Sequence, residues 1–400
     1  MQAFQLLFAR SKLLCRRGAI EGLADEVRSL GLARLMLVSG TRSARSGAAQ
    51  QVRAALAASI ADEWAGIPQH SGVADVAALA ARARQARVDG FIAVGGGSAS
   101  DSAKAAAILL GEGGALKDHA NVFTPPDRYD QKLLPAAKLP IIAVPTTLSA
   151  AEVTPGLGIR DEHGHKLVFW DLGVVPRLIV LDAAAARDVP APVLAATGMN
   201  ALAHCIEGLY SRVRNPVSEA LALQGIRYLR QALPRVVQGP PAAAAQGPVD
   251  GLRDEALEQA LIGAALSGLV ISNARVGIHH GVCHGLGSLG GLSHGAANSV
   301  MLPHAMRFNR EAAAAELALA AEALGAEVRG LAPPAAADAA IAAVEALQAA
   351  IGVPRRLSEA GLDRGLLPRL ARGAMSDRGL YFNPRLATEA EVLALLEAAW

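Results

Sequence analysis

Aromatic residues are scarce in this chain: Phe, Trp and Tyr make up only 4% of its 400 residues, although 52% are hydrophobic. Ala, Leu and Val carry most of that share, a composition that suits helices and buried strands and excludes a disordered chain. Cysteine is nearly missing too. Cys15, Cys205 and Cys283 are odd in number and far apart, which excludes a disulfide framework and points to a reducing, cytoplasmic compartment. Neither sign of charge prevails, with 38 Lys and Arg against 36 Asp and Glu for a net +2. That leaves no electrostatic footprint for nucleic acid or an anionic membrane, so small-molecule substrates are the expected partners. No basic region precedes the short apolar run at the start, which excludes a signal-peptide reading. Apolar stretches elsewhere are cut by Gly, Pro or charge before they reach the length of a membrane span.

What is present is a change of pattern near residue 190. Arg34–Ser39, Gly90–Gly95, Pro140–Pro145 and Leu178–Asp182 read as buried strands, and helix-like segments such as Ala48–Ile60 and Val73–Val88 lie between the first two. Continuous apolar strands alternating with helices predict a mostly parallel sheet covered on both faces, an α/β dinucleotide-binding architecture. After Pro190 and Pro192 the strand signals stop. Ala201–Tyr210, Ser218–Leu233, Glu255–Ile271, Glu311–Leu324, Ala335–Ile351 and Glu389–Ala399 have helical periodicity. At 400 residues two domains are expected: an α/β dinucleotide-binding domain over 1–190 and an all-α catalytic domain over 191–400. The Pro- and Ala-rich stretch Pro240–Pro248 reads as a mobile loop, and no solenoid-length repeat occurs.

Three motifs bear on chemistry. Gly95-Gly96-Gly97-Ser98 falls between a strand and a helix, where glycines let backbone N–H groups approach a diphosphate and the helix N-terminus favours an anion. It is not the Gly-x-Gly-x-x-Gly pattern, and a plain turn with Asp101 as a capping residue is the competing reading. Asp101 is otherwise placed to reach a ribose or nicotinamide. The hydroxyl-rich run Pro145-Thr146-Thr147-Leu148-Ser149 follows the third strand, at the sheet edge where α/β folds bind ligands. Those hydroxyls can equally satisfy their own loop. Lastly, Asn200 and His204 stand four apart, as do His280 and His284, with His294 after a glycine-rich turn. One histidine on an apolar helix is usually a satisfied core residue. Four in paired helical spacing suit a divalent metal or a proton relay.

Together these segments resemble the iron-containing alcohol dehydrogenase family. The resemblance runs in motif order from Gly31 to Asn309, through Gly95–Lys104, Pro145–Thr154, Gly198–Glu207, His280–Gly287 and His294–His304. It implies an NAD(H)- or NADP(H)-dependent homodimer working in a cleft between an α/β and an all-α domain. The diphosphate would lie on Gly95, Gly96, Gly97 and Ser98, with Thr146, Thr147 and Ser149 along the cofactor and Lys166 near the nicotinamide ribose. Asn200, His204, His280 and His294 match the family's metal ligands for iron or zinc, and His284 its proton-relaying histidine. In a metal-free site, protonated His284 or His204 would supply the proton.

Position 200 departs from the family, which has aspartate there. Asn200 and the text around it look like the maleylacetate reductase branch, which is regarded as metal-free, and that reading leads. The His294–His304 segment looks more like the metal-dependent alcohol dehydrogenases, the alternative. Val38-Ser39-Gly40-Thr41-Arg42 holds no acid after the first strand, and Arg42 is available to a 2′-phosphate.

Overall fold

Continuous burial along the central strands explains the first half of the fold. In the computed structural model, which describes residues 4–69, 71–238 and 248–400, six parallel strands form one sheet in the order β1-β10-β7-β4-β2-β3. These are β1 (Lys12–Cys15), β2 (Leu35–Gly40), β3 (Ile60–Ile67), β4 (Gly90–Gly95), β7 (Ile141–Pro145) and β10 (Leu178–Leu181). Leu35, Leu37, Ile92 and Val94 face α1 (Leu23–Ser29) and α2 (Gly47–Ala55). Met36, Val38, Phe91 and Ala93 face α3 (Val73–Gln85) and α4 (Gly97–Glu112). Burial on both faces is what the continuous apolar runs require.

Two small antiparallel hairpins flank the sheet: β5 (Val122–Thr124) with β6 (Arg128–Asp130), and β8 (Gly156–Arg160) with β9 (Lys166–Trp170). The expected helix over 48–60 is shorter, ending at Ala55, and its last residue opens strand β3.

Beyond β10 and a short α5 (Ala183–Ala186), no strand occurs among the described residues. The helices are α6 (Ala191–Tyr210), α7 (Pro216–Gln238), α8 (Pro248–Ala274), α9 (Ile278–Ser288), α10 (His294–Asn309), α11 (Ala314–Ala323), α12 (Pro333–Ile351), α13 (Leu367–Ala374) and α14 (Glu389–Ala399). The loop expected at 240–248 lies outside the described residues except for Pro248, which opens α8. The expectation that no segment is long enough to span a bilayer needs correcting. Gly251–Ala274 and Pro333–Ile351 are long and apolar enough by length and composition. Both contribute to the protein's main apolar core, through residues such as Leu257, Leu261, Ile341 and Val344. That core also takes in Leu148, Ile179 and Leu181 from the sheet region.

Candidate active site

Strand order places the first part of the site. The chain runs from β2 outward to β3, then returns to the other side of β2 as β4, making a topological switch point between β2 and β4. At that point the glycine turn meets the loop after β2. A Cβ on Gly95, whose φ is +146°, would lie 2.9 Å from Ser43 Oγ. One on Gly96 would lie 3.1 Å from Thr147 Oγ1, and one on Gly97 3.4 Å from Ser149 Oγ. The three glycines therefore form a shallow floor between two hydroxyl-bearing loops.

Ser98 is in the first turn of α4, so the helix N-terminus faces this crevice. Thr146 is buried and its N–H donates to Gly95 O at 2.9 Å. The Ser39 and Thr147 hydroxyls are buried without a hydrogen-bond partner. Unsatisfied buried hydroxyls beside a glycine floor suit a polar ligand such as a dinucleotide. Arg42 stands exposed just past β2.

Asp101 is one turn into α4 and does not cap it. Its Oδ2 accepts the Gly158 N–H at 3.1 Å, while Oδ1 is buried and unpartnered. Burial raises its pKa above the usual carboxylate value, against the pull of Lys104. Lys104 is fully buried and donates to the carbonyls of Ala151 at 2.5 Å, Thr154 at 2.6 Å and Gly156 at 3.3 Å. It ties the loop after β7 to α4. Lys166, the first residue of β9, lies across Gly158 within electrostatic reach of Asp101, Asp377 and His294. It thus stands between the crevice and the histidines.

The histidines converge as their spacing predicts. Asn200, His204 and Glu207 fall on one face of α6, His280 and His284 on α9, and His294 opens α10. Ring centroids are 4.6 Å apart for His204 and His280, 6.0 Å for His280 and His294, and 6.2 Å for both His280–His284 and His284–His294. Asn200 Oδ1 is 3.2 Å from His280 Nε2, and its amide nitrogen donates to Ser149 O at 3.4 Å. The amide therefore touches both the histidine cluster and the hydroxyl loop.

Two carboxylates that motif reasoning left without a role orient the rings. Glu207 is fully buried; its Oε2 meets His280 Nδ1, and its Oε1 accepts the N–H groups of Gly277 at 2.8 Å and His279 at 3.0 Å. Burial pushes Glu207 up, but His280 and His279 together pull it well below the ordinary range, so it stays ionised. Asp377 Oδ2 accepts from His284 Nδ1 at 2.7 Å and so leaves Nε2 free. Glu207 lies three residues beyond His204, a signal available in the sequence. Asp377 is 93 residues from its partner and gave none.

Burial lowers His280 to about 4 against the pull of Glu207, and holds His204 and His294 well below their usual value, with His280 adding to both. Burial thus favours the neutral form of all three rings. The protonated form of His204, one of the two expected proton sources, is disfavoured accordingly. With its Nδ1–H given to Glu207, His280 turns the Nε2 lone pair toward the Asn200 oxygen. Two acceptors at 3.2 Å are favourable only with a cation or a proton between them. Neutral imidazoles and an amide oxygen, backed by a carboxylate, are a donor set that fits iron or zinc. Glu207, His279 and His280 also bring ligand atoms within 4.8 Å of one another. His279 Nε2, however, is 3.0 Å from Asn298 O, and Glu207 is committed to backbone and ring N–H groups. That trio supports His280 from behind.

Family models now settle the relationship. The iron-containing alcohol dehydrogenase model matches residues 10–183, and the C-terminal model of the Fe-containing alcohol dehydrogenase family matches 194–400. The chain belongs to the iron-containing alcohol dehydrogenase family. Lactaldehyde reductase of Escherichia coli (strain K12) is 32% identical over 392 residues, 96% of each chain. A crystal structure of 1,3-propanediol oxidoreductase superposes with a TM-score of 0.89 at 30% identity, covering 100% of both chains. Maleylacetate reductase from Agrobacterium tumefaciens gives 0.80 at 28%, covering 100% of this chain and 99% of that one. This member of the family is accordingly an NAD(P)-dependent dehydrogenase or reductase, with an α/β sheet region followed by helices.

Proposed function

We propose that this family member interconverts a small alcohol and its aldehyde or ketone at the histidine cluster, with the dinucleotide in the glycine crevice and a divalent ion held by Asn200, His204, His280 and His294. The observation that carries it is the pair of facing acceptors, Asn200 Oδ1 and His280 Nε2 at 3.2 Å, among rings that burial keeps neutral. The higher TM-score with 1,3-propanediol oxidoreductase than with maleylacetate reductase supports the same choice.

When bound, the nicotinamide supplies the hydride and the ion polarises the carbonyl as a Lewis acid. The chain's own residues do the rest. Gly95, Gly96, Gly97 and Ser98 seat the diphosphate; Ser39, Thr146, Thr147 and Ser149 offer hydroxyls, Asp101 its free Oδ1, and Lys166 a cation across the cleft. His284 is partly exposed, with its side chain at 26%, and is held by Asp377. It relays the proton between solvent and the alkoxide through Nε2. Arg42, exposed just past β2 with no acid beside it in that turn, supports acceptance of a 2′-phosphate, so NADP(H) is accepted beside NAD(H). The two halves, 1–190 and 191–400, act as two domains on either side of that cleft, joined through a shared core.

Three free cysteines support a cytoplasmic enzyme, and exposed Phe8 and Leu13 at the open edge of β1 support a homodimer.

Asn200 itself favours a second reading, a metal-free maleylacetate reductase in which His284 is the proton donor. Metal analysis of the purified protein, paired with assays on small aldehydes and on maleylacetate before and after chelation, separates the two. Aldehyde reduction that is lost on chelation and restored by iron or zinc supports the first. Maleylacetate reduction that survives complete metal removal overturns it in favour of the second.

A further inference from the structure

A cavity of about 760 Å3 opens between the end of β9, the C-terminus of α8 and the segment that follows α13. Neither the active-site histidines nor the glycine turn line it. Its walls are rich in cations and aromatic rings. The Arg275 guanidinium lies 3.8 Å from the centroid of the Trp170 ring. That of Arg378 lies 3.3 Å from the Tyr129 ring and 4.9 Å from Phe382. A guanidinium held over a ring face keeps N–H groups for the fork that matches a carboxylate or phosphate, and Arg378 spends part of its set on the Tyr129 side chain.

The charges around this cavity do not cancel. Arg214 is paired with Glu316, Lys132 lies 3.8 Å from Asp130, and the one acidic wall residue, Asp171, lies 3.5 Å from Lys138. Arg212, Arg275 and Arg378 have no carboxylate within ion-pairing distance among the described residues. Burial, with Arg378 close by, brings Arg275 down to about 10. Arg275 also holds φ at +64°, a left-handed conformation uncommon for a long side chain and concentrated at functional positions. Two partly buried cations that repel each other, without an anion between them, form an incomplete arrangement.

We propose that this cavity binds a small organic anion, a carboxylate or phosphate on an apolar or unsaturated body, gripped between Arg275 and Arg378. Trp170 and Phe382 enclose the body, and Arg212 adds long-range attraction. The site is not isolated from the chemistry. Arg378 directly follows Asp377, whose carboxylate holds His284 and accepts the Gly379 N–H at 2.7 Å. Trp170 ends the strand that begins with Lys166. Occupancy is thus felt one peptide away from the group that orients the proton relay.

Calorimetric titration of the full-length protein with phenyl phosphate and with benzoate, at low ionic strength and with or without saturating NADH, tests this. One site per chain is expected, indifferent to NADH and weakened by added salt. Arg275→Gly, which suits the left-handed backbone, and Arg378→Gln should each weaken both probes at least tenfold. NADH affinity and the ligand-free melting temperature should stay near the wild-type values. The proposal is wrong if neither probe binds, if NADH displaces them, or if both variants bind as the wild type does. It is equally wrong if the wild type binds neither probe and Arg275→Gly turns a dimer into a monomer by sedimentation, because a second copy then fills the cavity.

Discussion

An amide at position 200 gives the proposed ion site a neutral oxygen on one side of His280, while ionised Glu207 supplies negative charge from the other side of the ring. If the three histidines and Asn200 hold an ion as proposed, Glu207 leaves its charge less exposed than the ligand set alone suggests, since a carboxylate behind a ligating ring raises that ring's basicity. Asn200→Asp puts a full charge in direct contact, and iron or zinc affinity should rise at least tenfold, read by competition with a chelator. Glu207→Gln acts in the opposite direction. It weakens the acceptor for backbone N–H groups and removes the partner of His280. A loss of about 3 kcal/mol in urea unfolding and a roughly tenfold or greater loss of metal affinity are expected. If stability holds while metal affinity falls, Glu207 tunes the ring and does not cap α9. The histidines and Asn200 were legible because helical spacing brings them to common faces. Asp377 was not, because a contact made across 93 residues leaves no local pattern.

At the scale of elements, the four central strands and most helices were readable, since burial on both faces or on one stripe writes itself into the apolar pattern. Strand β3 was not: Ile60-Ala-Asp-Glu-Trp-Ala-Gly-Ile67 is the sheet's far edge, where Asp62 and Glu63 pair with Arg82 and Arg53 instead of joining the core. Helix α9 has glycines at 281, 285 and 287, a poor helix-forming composition. It forms because Glu207 caps its start and because Leu380 packs where a Cβ on Gly281 would sit, 2.2 Å away.

The glycine turn at the head of α4 allows a direct test. A Cβ added at Gly97 would meet nothing closer than 3.4 Å, so Gly97→Asp should fold, with a melting temperature near that of the wild type. Its carboxylate would face the diphosphate, and NAD(P)H affinity should fall at least a hundredfold by fluorescence titration. The loop that Lys104 ties down carries a pH signature. Burial raises Glu152 to about 7, against the pull of Lys104. Its contribution to stability is complete below the unfolded value of about 4.5 and is lost as pH rises through 7. Glu152→Gln removes that loss, so its stability relative to the wild type should improve between pH 5 and 7.5, by up to about 3 kcal/mol. Parallel stability curves for the two proteins across that window would show that Glu152 ionises freely.

Viewed as a whole, the chain is divided by pattern near residue 190 but joined by packing. One apolar core combines Leu148, Ile179 and Leu181 from the sheet region with Met199, Leu202, Leu229, Leu257 and Leu302 from the helices. Helix α10 contributes Leu302 and Met306 to that core and Val300, Met301 and Ala305 to the separate cluster around α9, α13 and α14. Arg187 with Asp254 and Arg17 with Glu258 add ion pairs between the two halves. Separating the halves would expose the shared core at about 25 cal/mol per Å2 of apolar surface, a large cost beside the marginal stability of most folds. We therefore expect one cooperative unfolding transition. The three tryptophans make this testable. Trp64 is on β3 and Trp170 on β9, whereas Trp400 follows α14 and packs against the last cluster. In urea, a variant retaining only Trp64 and another retaining only Trp400 should unfold with the same midpoint and slope, coincident with loss of helical circular dichroism. A Trp400 midpoint well below that of Trp64 would mean that α9, α13 and α14 unfold before the sheet. Bound zinc should then raise the earlier transition selectively, because the proposed ligands join α6 to α9 and α10.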